Sequence, residues 1–315
     1  MNNKPLISIA LCTYNGEAYL KEQLESLVSQ TYQPIVIRIR DDQSTDGTVE
    51  IIREFQSQYP YIGLETNPIK LGLQRNFEQV FQDCTGNLIA PCDQDDIWHP
   101  EKVQLLAEAL KGHQIVYHDS ILIDADGKDM GIKMSDKFRL KNWNRQEPFL
   151  LFNCISGHSM LFQKSLLKAA IPFPDTGYYD HWITYVALAK GTIGFVPRAL
   201  VNYRQHAANQ TDLLGKKQVL SGIERAKNRI KRENSWLMSC ERYNQQHVGN
   251  PFIHPFADWA LARENSFFSF TLGWQIFKHQ ELLLAILPGS FFKKVGFALR
   301  YSFGLKLKAV YYSFL

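Results

Sequence analysis

Leu6-Ile7-Ser8-Ile9-Ala10-Leu11-Cys12 is an almost unbroken apolar run, and Thr13-Tyr14-Asn15-Gly16 after it is a turn. A short apolar run bounded by turn formers reads as a strand buried on both faces. Residues 17–30 then place Leu20, Leu24, Leu27 and Val28 at helical spacing. Ile35-Val36-Ile37-Arg38-Ile39-Arg40 is a second strand. It ends in Asp41-Asp42-Gln43-Ser44-Thr45-Asp46-Gly47-Thr48, where Ser44 or Thr45 is placed to cap a helix carrying Val49, Ile52 and Phe55. Strand, helix, strand, helix at this spacing predicts an open α/β sheet built from right-handed crossovers. Ligands of such sheets bind outside the carboxyl ends of the strands, which is where the polar clusters fall.

The most acidic of these clusters is Asp93-Gln94-Asp95-Asp96-Ile97-Trp98, after the apolar run Asn87-Leu88-Ile89-Ala90-Pro91-Cys92. If the strand continues through it, alternation sends Asp93 and Asp95 to one side and Asp96 to the other. Two convergent carboxylates suit Mg2+ or Mn2+, which complete their shells with water and substrate phosphates. A solvated acidic turn is the competing reading of an isolated Asp-x-Asp. No Gly-x-Gly-x-x-Gly follows the first strand and no Gly-x4-Gly-Lys-Ser/Thr occurs, so a dinucleotide fingerprint and a P-loop are both unsupported.

Beyond the second helix, Asn67-Pro68-Ile69-Lys70-Leu71-Gly72-Leu73 reads as a loop and Gln74-Arg75-Asn76-Phe77 as the start of a helix. Arg75 opposes the helix dipole there, so a ligand phosphate or base is one partner and a neighbouring carboxylate the other. A helix follows Pro100, then a strand at Ile115-Val116-Tyr117-His118 and another at Ile121-Leu122-Ile123 entering an Asp-Gly turn. In Ser156-Gly157-His158-Ser159, Gly157 allows close backbone approach and His158 is a candidate for a sugar hydroxyl, against a packed turn. Tyr178-Tyr179-Asp180-His181-Trp182 heads a helix, with Asp180 either a dipole-favoured first-turn carboxylate or a catalytic group. His181 and Trp182 read equally as core or as sugar-binding side chains. Ile193-Gly194-Phe195-Val196 and Ala199-Leu200-Val201-Asn202-Tyr203 are strands, and Arg204 and His206 after them alternate onto one side. They suit a diphosphate or the shell of a metal.

The 315 residues are 45% apolar and 21% charged, as in a folded globular protein. The N-terminal stretch lacks the zones of a signal peptide, and no apolar run approaches eighteen residues, so no transmembrane helix is expected. Five cysteines without a Cys-x-x-Cys pair predict reduced, packed thiols and a cytoplasmic location. Residues 1–214 carry 20 Lys and Arg against 25 Asp and Glu, whereas residues 215–315 carry 15 against 6. An acidic domain over 1–214 and a basic, aromatic-rich helical region over 215–315 are expected. The basic region suggests contact with an anionic membrane surface, with helices packed on the domain as the alternative. No nucleic-acid partner is expected.

Cys-Thr-Tyr-Asn-Gly-Glu (12–17), Arg-Asp-Asp-Gln-Ser-Thr-Asp-Gly-Thr (40–48), Gln-Arg-Asn (74–76), Cys-Asp-Gln-Asp-Asp-Ile-Trp (92–98), Asp-His-Trp (180–182) and Tyr-Arg-Gln-His (203–206) together resemble family 2 glycosyltransferases. They are most similar to rhamnosyltransferase-like members that build bacterial surface polysaccharides. The resemblance covers about residues 5–212 and implies a GT-A fold, a mixed α/β sheet flanked by helices. It implies inverting, metal-dependent transfer of a sugar from a nucleoside diphosphate donor, dTDP-rhamnose or a UDP-hexose, to a saccharide or lipid-linked saccharide acceptor. It further implies Thr13, Tyr14, Glu17, Asp42, Arg75 and Asp93 around the nucleotide, Asp95 on Mg2+ or Mn2+, and Asp180 as general base. Arg204 and His206 would close on the diphosphate, and Trp98, Gly157, His158, His181 and Trp182 would meet acceptor or sugar. Related sequences often read His-Asp-Trp where this one has Asp-His-Trp, which makes His181 the second candidate for the base.

A nucleotidyltransferase would favour a glycine-rich, basic loop after the first strand, and Thr13-Tyr14-Asn15-Gly16-Glu17 is not one. A catalytically silent nucleotide-sugar-binding scaffold subunit would tolerate loss of Asp95 or Asp180, and both are present. The enzyme reading predicts a protein of the cytoplasm, peripheral on the inner face of the cytoplasmic membrane.

Overall fold

The computed structural model describes residues 4–207, 209 and 222–313. The chain divides into two compact units, Met1–Asn144 with Cys154–His206, and Arg145–Asn153 with Ala207–Leu315. The expected boundary between residues 214 and 215 lies outside the described residues.

The first unit runs β1 (Ile7–Thr13), α1 (Glu17–Val28), β2 (Ile35–Asp41), α2 (Thr48–Gln58), β3 (Ile62–Thr66), α3 (Leu73–Asp83), β4 (Leu88–Cys92), β5 (Ile97–Trp98) and α4 (Lys102–Ala109). It continues with β6 (Ile115–Ile123), β7 (Asp129–Lys133), α5 (Met134–Lys137), β8 (Met160–Gln163), α6 (Leu167–Ala170), α7 (Tyr179–Lys190) and β9 (Ile193–Arg204). The strands form one sheet in the order β3-β2-β1-β4-β8-β6-β9-β5, with β7 added on β6. β3, β2, β1 and β4 are parallel, whereas β8 pairs antiparallel with both β4 and β6.

Every residue of β1 and β4 is buried, as their unbroken apolar runs require of strands covered on both faces. In β2 fully buried residues alternate with half-buried ones, so Ile35, Ile37 and Ile39 point into the core. Register carries the functional consequence. Thr13 pairs with Asp41, Asp41 with Thr66, and Leu11 with Cys92. The residues that leave β1, β2, β3 and β4 therefore emerge along one edge, which is the ligand edge of a sheet of this kind.

Two strands expected separately at residues 193–196 and 199–203 are one, β9, with a register shift against β6 near His118 and Asp119. β3, β5, β7 and β8 add to the strands read from periodicity. At two to five residues each they give too little pattern to stand out.

The second unit holds α8 (Gly222–His247), α9 (His254–Leu261), α10 (Phe270–Lys278), α11 (Gln280–Leu283), α12 (Phe291–Ser302) and α13 (Leu305–Ser313). Its core includes Ile230, Trp236, Leu237, Phe256, Leu272, Ile276 and Leu283. Arg263 is buried among them, bonded to Glu233 and Asn234 at 2.9 Å each and lying over the Tyr301 ring. Trp236 reaches back to the carbonyl of Leu150 at 3.1 Å, which is why residues 145–153 belong to this unit. No described helix is long and apolar enough to cross a membrane.

Candidate active site

The first wall of the site is made where β1 and β2 end. Thr13 Oγ1 donates to Asp41 (2.9 Å), and the same carboxylate accepts the amide and hydroxyl of Ser44, closing the turn after β2. Gly47 N donates to Glu17 at 2.9 Å and Glu17 N to Asp46, so α1 and α2 begin side by side. Asp42 is buried and accepts three donors, Asn67 Nδ2 (2.8 Å), Leu71 N (2.7 Å) and Gly72 N (2.8 Å). Gly72 has φ of +78°, a backbone that a Cβ would strain, and it opens α3. The loop over residues 67–72 thus hangs on Asp42. Tyr14 stays exposed at the rim, with the Lys70 ammonium 3.5 Å from its ring centroid. Arg75 is paired with Glu78 (2.7 Å) and Asp175 (2.5 Å).

The acidic segment forms the floor. The strand ends at Cys92, so Asp93 to Asp96 make a turn and strand alternation no longer decides their directions. The expected separation of Asp96 from Asp93 is therefore corrected. Asp93 and Asp96 both face His158, with Nδ1 at 3.9 and 3.8 Å from their carboxylates, while Asp95 Oδ2 lies 2.7 Å from His206 Nε2. Gln94 locks the turn to β1 by accepting from Tyr14 N (2.8 Å) and donating to Tyr14 O (3.1 Å).

Beneath this turn sits a buried cluster that periodicity did not single out. Lys102, fully buried at the start of α4, donates to the His158 carbonyl at 2.7 Å and lies against the Trp98 ring. Asp96 is completely buried. Its Oδ1 accepts the Arg204 amide at 3.0 Å, and its Oδ2 has no hydrogen-bond partner among the described residues. Burial, and then the charges of Asp95 and Asp93, push the Asp96 carboxyl well above its ordinary range, while burial pulls Lys102 down. Burial and the Lys102 charge lower His158 to about 3, so its imidazole is neutral. Asp93 keeps 34% of its side chain exposed to the groove. It is raised to about 7, first by burial and then by the charges of Asp95 and Asp180.

Asp180 stands in the first turn of α7 and is held from both sides. Tyr179 is buried and stacks on Phe77 at 4.0 Å, and Trp182 donates Nε1 to the Ala170 carbonyl at 2.8 Å. The Asp180 carboxylate accepts from Gly157 N (3.2 Å) and His181 N (2.6 Å). Burial raises Asp180 to about 6 against the pull of these amides. A Cβ at Gly157 would run into the Tyr179 hydroxyl, so the bare backbone there lets Asp180 reach its amide donor.

Four expectations are altered by burial. Trp98 and Trp182 are 2% and 6% exposed, so neither offers a ring face to a sugar, and both are core. His158 is 1% exposed, with Nε2 on Ser120 Oγ at 3.0 Å, and faces the acidic turn instead of a sugar hydroxyl. Arg204, expected on a diphosphate, has a buried guanidinium that donates to Asp95 O (2.8 Å), Ala125 O (3.0 Å) and Glu22. Such a planar fork suits a fixed multipoint bridge, and here it bridges protein to protein.

A family model for glycosyl transferase family 2 matches residues 8–169. An uncharacterized glycosyltransferase of Haemophilus influenzae is 28% identical over 247 residues, covering 74% of each chain. The dTDP-rhamnosyl transferase RfbG of Shigella flexneri is 38% identical over 105 residues, 32% of this chain and 36% of that one. Among solved structures, a mannosyltransferase from Pyrobaculum calidifontis in complex with GDP-Man and Mn2+ aligns over 98% of this chain and 87% of that one, with TM-score 0.52 at 17% identity. The fold is accordingly the GT-A arrangement expected from the motifs. With more than half its length matched and its acidic turn at the carboxyl edge of the sheet, the chain belongs to glycosyl transferase family 2.

Proposed function

We propose that this protein transfers a sugar from a nucleoside diphosphate donor to a saccharide or lipid-linked saccharide acceptor, with inversion at the anomeric carbon. Surface-polysaccharide synthesis in a bacterium is the setting, and dTDP-rhamnose or a UDP-hexose the donor. The observation that carries the reading is the placement of Asp180. It is a carboxylate anchored by two backbone amides, in a groove whose other carboxylates are close enough for its charge to raise Asp93.

In a single displacement the acceptor hydroxyl oxygen bonds to the anomeric carbon as the bond to the diphosphate oxygen breaks. Asp180 accepts the hydroxyl proton, and a carboxyl raised to about 6 is ionised yet basic near neutral pH. His181 is the second candidate. Thr13, Tyr14, Glu17, Asp42, Arg75 and Asp93 surround the nucleotide in this reading. Asp42 acts through the 67–72 loop it suspends, and Tyr14 with Lys70 offers a cationic, aromatic rim for a base.

The donor set fits a hard divalent cation. Asp95 and His206 present a carboxylate and an imidazole, 13% and 12% exposed at the groove. Asp93, Asp96 and His158 form a second candidate set, their ligand atoms within 4.8 Å of one another. Asp96 and His158 of the inner set are buried away from the groove, which favours Asp95 and His206 as the metal ligands. Mg2+ or Mn2+ bound there would supply Lewis-acid neutralisation of the leaving diphosphate.

The test is calorimetry with UDP, dTDP and GDP, each with and without Mn2+, on the wild type and Asp95→Ala. Metal-dependent binding of one nucleotide, lost in Asp95→Ala, is expected. Absence of nucleotide binding under every metal condition would remove the reading.

A further inference from the structure

α10 and α12 pack against each other closely, because a Cβ at Gly273 would lie 2.9 Å from Ser302 Cβ. α10 buries Leu272 and Ile276, and α12 buries Lys294, Ala298, Tyr301 and Ser302. Their other faces are strongly apolar and open. Phe292 is 82% exposed, Phe270 76%, and Trp274 and Leu299 59% each. Ring contacts run unbroken across the pair. Trp274 to Phe277 is 5.6 Å, Phe277 to Phe291 6.3 Å, and Phe291 to Phe292 5.8 Å between centroids.

The charges beside this surface have one sign. Residues 265–313 contain six Lys and Arg and a single acidic residue, Glu281, which Lys294 engages at 2.8 Å. Lys278, Lys293 and Arg300 are exposed. On α12, Phe292 and Leu299 are seven residues apart, and so are Lys293 and Arg300. An apolar line therefore runs beside a basic one along the same helix.

We infer that α10 and α12 form a docking surface for an anionic lipid bilayer, with Phe270, Trp274, Phe291, Phe292 and Leu299 entering the headgroup and acyl boundary. Lys278, Lys293 and Arg300 meet the lipid phosphates. An amphipathic surface with aromatic side chains on one side and lysines on the other is built for the interface plane. A second copy of the chain is a poorer occupant, since it would bring basic residues against basic residues with no acidic partner left over in this segment. The inference stands apart from the proposed chemistry and uses none of its residues.

The experiment is co-sedimentation of the full chain with vesicles of phosphatidylcholine alone or with one third phosphatidylglycerol, at low and high salt. Two variants accompany the wild type, Trp274→Ser/Phe292→Ser and Lys293→Glu/Arg300→Glu, each checked for native circular dichroism and melting. The wild type should sediment with the anionic vesicles only, less at high salt, and the charge-reversed variant should lose about tenfold or more in partitioning. The aromatic variant should lose binding at both salt concentrations. Equal recovery with neutral vesicles, no recovery with any vesicle, or folded variants that bind as well as the wild type would each overturn the inference. So would concentration-dependent dimerisation in light scattering that the aromatic variant abolishes.

Discussion

Asp95 Oδ2 and His206 Nε2 lie 2.7 Å apart although 111 residues separate them in the chain. The contact joins the acidic turn after β4 to the segment after β9. The Tyr19 ring lies 4.8 Å from that of His206, with the Arg204 guanidinium over its face, so the imidazole is oriented before any ligand arrives.

If this pair holds the divalent cation, Asp95→Asn and His206→Ala should each weaken Mn2+-dependent nucleotide binding by about tenfold or more. Binding measured in EDTA should be the same for wild type and variants. Wild-type affinity that ignores EDTA would detach the pair from metal.

Asp180→Asn should lower transfer by about a hundredfold to ten-thousandfold while leaving the donor affinity unchanged. The wild-type rate should fall as pH drops through about 6, where the raised carboxyl takes up its proton. Stability runs the opposite way. A carboxyl raised on folding stabilises most below its unfolded value near 4 and loses that contribution as pH rises through about 6. Asp180→Asn should therefore compare better with the wild type in melting temperature at pH 8 than at pH 4. A flat rate between pH 5 and 8 would exclude Asp180 as the base.

Lys102→Met should destabilise the first unit by about 1–3 kcal/mol, because it leaves the buried His158 carbonyl without its donor and removes the ammonium that opposes the rise of the Asp96 carboxyl. Adding Asp96→Asn should recover part of the loss. Denaturant melts of the two single variants and the double variant measure the coupling, and strict additivity would argue against the linkage.

Gly157→Ala should cost about 1–3 kcal/mol by forcing a methyl group into the Tyr179 hydroxyl. Turnover should fall more than stability suggests, since the same shift removes an amide donor from Asp180. Tyr179→Phe in the Gly157→Ala background should restore some of both, and a melt with a progress curve on each variant decides it.

Much of this was legible in the chain because local pattern and tertiary role coincide. Apolar runs such as residues 6–12 have one stable use, and the polar residues that follow them emerge at one edge of the sheet. Legibility failed where a side chain's fate depended on distant neighbours. Trp98 and Trp182 sit in polar motifs yet are buried, and Lys102 lies on a helix whose sequence does not reveal that its ammonium turns inward. Asp93 to Asp96 misled for another reason, since period-two reasoning holds only while the backbone is extended and the strand stops at Cys92. Residues 145–153 join the second unit through Trp236 and neighbouring contacts about ninety positions away, beyond the reach of any local window.

One guanidinium, that of Arg204, ties the acidic turn at Asp95, the β6–β7 hairpin at Ala125 and α1 at Glu22. Three segments from separate parts of the chain are thereby ordered during folding, and their conformational entropy is already lost when a ligand reaches Asp95 and His206. Association at that point needs little backbone rearrangement, so the groove floor behaves as a preorganised, low-reorganisation surface whose dipoles are set before charge develops.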